Sequence, residues 1–312
     1  MNDENDQPVF HEGETQIHRS INDESRIADL GKYVIQDHMP DQHREFFAEL
    51  PWVHLSAIDS QGHPWALTRM GDPGFMSSPD NKTLVIESEP LNGEPHDLQL
   101  DENSKISVVG IQFSTLRRNR LNATIRKVSG NQLFLRVDQS YGNCPKYIQK
   151  RSVVSNDISA DATVSSHHSF DQTDRDILLR ADTLFIASRA EQLTDDPRSG
   201  VDINHRGGFP GFISIVNHNT LLIPDYSGNN FFNTLGNIVM DSRIGIQLVD
   251  FATGTLLNLQ GHAEITSADA STLKLPDTGR CLKVTVDKII RSSTVFPYRL
   301  SEPLYSIFLP KH

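Results

Sequence analysis

"HRGGFPGFISIVNHNTLLIPDYSGNN", His205–Asn230, sets closely spaced glycines (Gly207, Gly208, Gly211) before a run of isoleucine, valine and leucine and ends in small polar residues. Such glycines serve a turn or bulge, or a close approach of backbone to ligand, and both uses stay open at this point. After Arg206 the stretch holds no lysine or arginine, so a phosphate cradled here would need charge from elsewhere in the chain. Five residues inside it lead outward, because "PGFIS" at Pro210–Ser214 repeats "PGFMS" at Pro73–Ser77.

Aligning these two motifs aligns their surroundings. "TLVI" (Thr83–Ile86) matches "TLLI" (Thr220–Ile223), and "NSKISVVGIQF" (Asn103–Phe113) matches "DSRIGIQLVDF" (Asp241–Phe251). Strand-like runs then begin at Asn119 and Thr255, and upstream "DQHREFFAELPWVHLSA" (Asp41–Ala57) matches "DQTDRDILLRADTLFIAS" (Asp171–Ser188). Four blocks in one order identify a tandem duplication. Each copy reads as a helix followed by several short β-branched and aromatic strands bounded by Gly, Asn, Asp and Pro. "NNFFNTLGNIVM" (Asn229–Met240) spaces its apolar residues as a helix does, with an asparagine as the expected cap.

The expected fold is therefore mainly β, in the α+β class: two tandem split β-barrels with flanking helices, packed as an intrachain pseudo-dimer. An acidic, helix-prone arm covers residues 1–40, the first barrel 41–152 and the second 170–312. The polar, serine-rich "SVVSNDISADATVSSHHS" (Ser152–Ser169) reads as the linker, with His167 and His168 in solvent.

A net charge of −11 argues against nucleic-acid or anionic-membrane partners, which require a basic face. Two cysteines, Cys144 and Cys281, cannot build a disulfide framework or a four-cysteine metal site. No stretch approaches the ~18 apolar residues of a membrane span, and a cytoplasmic location is expected. GxGxxG, GxxxxGK[ST] and HExxH are all missing, and "FHEGE" (Phe10–Glu14) lacks the second histidine of a zinc site.

The blocks "PGFIS", "TLLIPDYSGNNFFNTLGN", "DSRIGIQLVDF" and "LNLQGHAEI" resemble the pyridoxamine 5′-phosphate oxidase-related family of flavin-binding split barrels, and its tandem flavin-nucleotide-binding members in particular. The resemblance covers nearly everything from about residue 40 onward. It implies an FMN cofactor in the groove between two barrels, with Phe209, Pro210, Gly211 and Phe212 on the first flavin strand. Ile223–Phe231 corresponds to the second strand and phosphate turn, bringing in Asp225, Asn229 and Asn230. The family's Ser-Arg-Lys is replaced there by Asn229, Asn230 and Phe231, so a helix N-terminus or arginines from elsewhere must supply the charge. "RRNR" (Arg117–Arg120) puts Arg117 and Arg118 where the family's partner subunit enters, and Gln139 and Ser140 resemble its flavin-contacting Gln-Ser pair. Arg206, beside His205 at the edge of the glycine stretch, is a further candidate for cofactor binding, with an anion contact and a surface role both open at this point.

One flavin per chain follows, since no Gln-Ser pair recurs in the second barrel. The function implied is an FMN-dependent oxidoreductase acting on an unidentified small molecule, reduced by NAD(P)H or by a separate reductase. The alternative is a non-catalytic cofactor-binding or interaction protein, with flavin lost or replaced by haem or deazaflavin. A true pyridoxamine 5′-phosphate oxidase is not expected: the C-terminus has no tryptophan and offers only Arg291 and Arg299 for a substrate phosphate. No metal and no catalytic residue is assigned. Further homodimerisation is left open, as is the role of the N-terminal arm.

Overall fold

The computed structural model describes residues 8–156, 162–267 and 278–310; parts of the expected arm and linker lie outside them. Three helices open the chain, α1 (Glu12–Ser20), α2 (Glu24–Val34) and α3 (Asp41–Glu49). The first barrel follows as β1 (Trp52–Ile58), β2 (Pro64–Met70), β3 (Met76–Asp80), β4 (Thr83–Glu87), β5 (Lys105–Gln112), β6 (Arg117–Ser129) and β7 (Gln132–Gly142). Two short strands, β8 (Val153–Asn156) and β9 (Thr163–His167), lead to α4 (Gln172–Arg180). The second barrel comprises β10 (Thr183–Arg189), β11 (Val201–Gly207), β12 (Ser214–Ile215), β13 (Thr220–Pro224), helix α5 (Asn233–Met240), β14 (Arg243–Asp250), β15 (Thr255–Ser267) and β16 (Arg280–Ser293), and β17 (Tyr298–Leu300) closes the series.

The first sheet runs β2-β1-β5-β6-β7-β4-β3 and the second β11-β10-β14-β15-β16-β13-β12, the same path with each label raised by nine. Helices α3 and α4 precede equivalent strands, so the duplication read from the sequence is a duplication in space. The motif "PGF" makes the same turn twice, with Gly74 at φ +99° and Gly211 at φ +85°, a backbone region that side chains with a Cβ avoid. Each barrel has its own core. Phe46, Leu55, Trp65 and Leu121 belong to the first, and Leu184, Ile223, Leu235 and Leu257 to the second. A third cluster, around Trp52, Phe113, Phe185, Phe251 and Phe296, seals the two together.

The copies differ where it matters for a ligand. Helix α5 lies between β13 and β14, whereas loop replaces it between β4 and β5. Its first residue is Asn233, two or three residues later than an Asn230 or Asn229 cap requires. The residue before it is Phe232, left-handed at φ +58° and without a side-chain cap. Asn229 instead closes a small turn by accepting from the Phe231 amide at 3.2 Å.

The segment read as a linker is partly sheet. Strand β8 pairs with β17 and β9 with β16, and His167 bonds Asp174 at 2.6 Å rather than standing in solvent. Helices α1 and α2 fall in the N-terminal arm, and α1 packs across α5. No helix among the described residues is long and apolar enough to cross a membrane.

Candidate functional site

Between the barrels lies a cleft with a cavity volume of about 120 Å³. The second barrel supplies Asn204–Gly207 from β11, Phe212, the Pro224–Asn230 turn and the first residues of α5; the first supplies Arg118 and the Asn143–Tyr147 segment.

Charge here departs from the chain as a whole. Arg118, Lys146 and Arg206 line the cleft and Asp225 is its one carboxylate, so the lining carries a surplus of two positive charges on a chain of net −11. Asp225 is buried and held twice, by Arg206 at 2.5 Å and by Arg280 at 3.0 Å. Two arginines on one carboxylate leave the trio cationic.

Arg118 bonds the Cys144 carbonyl and gives its other terminal nitrogen to His205 Nδ1 at 3.1 Å. Burial, with Arg120 and Arg206 near by, draws its guanidinium pKa down to about 10, so it stays charged at neutral pH. Burial and the neighbouring Arg118 push His205 well below its ordinary value. A neutral ring accepting at Nδ1 carries its proton on Nε2. That Nε2–H, Arg118 Nε and Asn143 Oδ1 are all buried without a partner. Unpaired polar atoms of this kind are costly and mark a place where a ligand or water completes the bonding. The open N–H groups at the start of α5, with the positive end of its dipole, face the same space.

The expected residues divide. Arg118, Arg206, Phe212, Asp225, Asn229 and Asn230 meet at the cleft. Arg117 turns away, its guanidinium 5.2 Å over the Phe46 ring. Gln139 donates to the Val9 carbonyl at 2.9 Å, and Ser140 pairs with Gln36 through its backbone and with His43 through its hydroxyl. Both are covered by the N-terminal region and do not line the cleft. Phe209 lies against Tyr305 at 4.9 Å, Pro210 lines a separate surface hollow and Gly211 makes an exposed turn. Gly207 is needed for protein packing: a Cβ there would sit 2.0 Å from the Tyr147 carbonyl. Gly208 is likewise pressed by Phe212, so the glycines of the opening stretch serve chain packing and a turn.

Asn143, Lys146, Tyr147 and His205 complete the lining. Tyr147 reaches across the cleft to donate to the Ser227 carbonyl at 2.7 Å, with its ring 5.1 Å from Tyr226. Arg291 and Arg299 lie elsewhere, bonded to Asp171 and Asp174 and to the Phe296 carbonyl respectively.

The mirror-related groove is filled. Leu256 stands where Arg118 does and Met70 where Gly207 does, and both pack into the aromatic cluster of Trp52, Phe113, Phe296 and Tyr298. Arg69, the counterpart of Arg206, is buried against Glu94. Of these two equivalent grooves, the one at Arg118 is the polar one among the described residues.

No family model matches the chain, and no curated protein matches it by sequence. Solved structures do match. Group A Streptococcus HupZ aligns over 41% of this chain and 98% of its own at 14% identity and TM-score 0.31. A FAD-binding protein from Mesorhizobium loti aligns over 41% and 97% at 9% identity and TM-score 0.27. An F420 reductase aligns over 41% and 94% at 15% identity and TM-score 0.25. By its strand order the chain is two tandem split β-barrels, one seven-strand path built twice in one polypeptide.

Proposed function

We propose that the cleft binds the phosphate of a flavin-type cofactor, FMN in the first instance, and that the chain is a flavin-dependent oxidoreductase acting on a small molecule. The observation that carries this reading is the cationic lining with unpaired buried donors, Arg118 Nε and His205 Nε2, in an otherwise acidic protein. The sequence resemblance to flavin-binding split barrels supports the choice of cofactor.

The residues fit a phosphorylated ligand. The cleft, about 120 Å³, is of a size for an anionic group such as a phosphate. Arg118 and Arg206 would bind the phosphate by charge-assisted hydrogen bonds, joined by the amides of α5. His205 fixes the Arg118 fork, and Asp225 holds Arg206 and Arg280 in place. Tyr147 and Tyr226 wall the opening. When bound, flavin supplies the hydride or electron transfer, while the protein positions the ring and excludes water. NAD(P)H or a separate reductase would return the electrons.

A second reading has one observation in its favour. Gln139 and Ser140 are engaged by the chain's own N-terminal region, as suits a protein that binds its cofactor without turnover. The absorbance spectrum of freshly purified protein, followed by FMN titration and NADH addition, tests both. Flavin bands bleached by NADH, by NADPH or through an added flavin reductase support the oxidoreductase; flavin that none of these bleaches supports the binding protein. A Soret band alone, or no affinity for FMN, overturns the flavin assignment.

A further inference from the structure

The turn at 229–232 forms one wall of the cleft, and its other side is held by α1. His18 Nε2 donates to the Asn230 carbonyl at 3.0 Å, and Phe10 packs on Phe231 at 5.3 Å between ring centroids. Glu14 takes a hydrogen bond from the Asn233 side chain. These contacts join residues more than two hundred positions apart. Beneath them the two helices touch backbone to backbone: a Cβ on Gly13 would lie 2.1 Å from the Gly236 carbonyl, and one on Gly236 2.5 Å from the Glu14 amide. Only glycine at both places permits that approach.

Asn230 and Phe232 both adopt left-handed conformations, φ +62° and +58°. For a phenylalanine this is an unfavourable state that persists where surrounding contacts over-determine it. The contacts on the far side from the cleft come from Phe10, just before α1, from His18 on α1 and from Tyr141, whose ring meets Phe231 at 5.9 Å.

We propose that the N-terminal arm is a positioning element of the cleft, with α1, docked on α5 through Gly13 and Gly236, setting the 229–232 turn through His18 and Phe10 so that the cleft is shaped for an anion. This rests on the cleft being the anion site. It gives the arm a part in ligand affinity although none of its described residues lines the cleft. His18 is a positioning residue in this scheme, acting only through the Asn230 carbonyl.

The test uses the full-length chain and three variants, Gly13→Leu, His18→Ala and His18→Gln. FMN and inorganic phosphate affinities are measured beside amide hydrogen exchange and thermal midpoints. Gly13→Leu and His18→Ala should each bind FMN about tenfold more weakly, the scale of one lost hydrogen bond to an ordered group. Exchange should quicken at residues 229–235 while β11 and β15 stay protected. Glutamine can donate the same bond, so His18→Gln should recover most of the affinity. Wild-type affinity in His18→Ala with unchanged exchange at 229–235 overturns the inference, as does acceleration spread evenly over both barrels. If the wild-type protein binds neither FMN nor phosphate, the reading of the cleft fails, and exchange in Gly13→Leu still decides whether the arm holds the turn.

Discussion

His54 and Phe185 are the third residues of β1 and β10, equivalent positions in the two repeats, and their rings stack on each other at 3.5 Å and 18° between the barrels. The contact lies where the two halves meet like against like. Phe185 also meets His205 at 5.7 Å, so the interface core and the cleft share a neighbour.

Removing this stack should loosen the pseudo-dimer. Phe185→Ala is expected to cost about 3–5 kcal/mol, the usual range for a buried aromatic, read from urea unfolding. His54 is held to a pKa of about 3 by burial, far below 6.5. The unfolded chain therefore binds the proton first, so this stabilisation is present above pH 6.5 and is lost as pH falls toward 3. His54→Gln should give a flatter stability curve than wild type over that window; parallel curves would contradict the assignment.

Glu14 works in the opposite direction. Its burial lifts the carboxyl to about 7 from 4.5, against the pull of the His11 amide, Asn233, Arg120 and Arg198. The folded chain here holds the proton more tightly than the unfolded one. Its contribution is fully present below pH 4.5 and fades as pH rises through 7. Glu14→Gln keeps a neutral side chain throughout, so the stability difference from wild type should change between pH 4.5 and 7 and level off above. Midpoints of thermal unfolding across that range check it.

Arg118→Ala should weaken FMN affinity about ten- to a hundredfold, as loss of a charge-assisted hydrogen bond of ~1.5–3 kcal/mol requires. Leu256→Ala, at the mirror position inside the aromatic cluster, should cost about 2–5 kcal/mol of stability and leave affinity near wild type. Fluorescence titration of the folded variants separates the two; two equivalent flavins per chain would contradict the single-cleft geometry.

Asp225→Ala strips Arg206 and Arg280 of their shared carboxylate. Both arginines keep some solvent contact, so the loss should be about 2 kcal/mol, below the ~3–5 of a fully buried pair. Inorganic phosphate should then raise the thermal midpoint more in the variant than in wild type, because it replaces the missing negative charge. An equal rise in both would place the phosphate away from these arginines.

The duplication and the strand sequence were legible because β-branched runs and the PGF turn recur in order, and local pattern is what a strand needs. Arg118 was found as a partner of the distant glycine stretch, with its hydrogen bond to His205 spanning 87 positions, because the family resemblance supplied the pairing of halves. Lys146 and Tyr147 carry no such mark: "CPKYI" has no periodicity, and Tyr147 enters the cleft through a left-handed backbone, φ +68°, that nothing in its side chain announces. Gln139 and Ser140 have the expected motif, yet the arm's Val9 and Gln36 occupy them, a contact no local spacing encodes. The expected asparagine cap is also absent, since Asn229 closes a turn on the Phe231 amide and α5 starts after a left-handed Phe232.

In a symmetric homodimer every substitution is made twice, so a groove cannot be blocked on one side and kept on the other. Fusion removes that coupling. Phe296 and Tyr298 could close one groove with a hydrophobic plug that strengthens the association of the halves, while Arg118 and Arg206 kept the other groove wet and charged. One polypeptide thus carries a sealed groove and a polar one, which a pair of identical chains must build from the same residues.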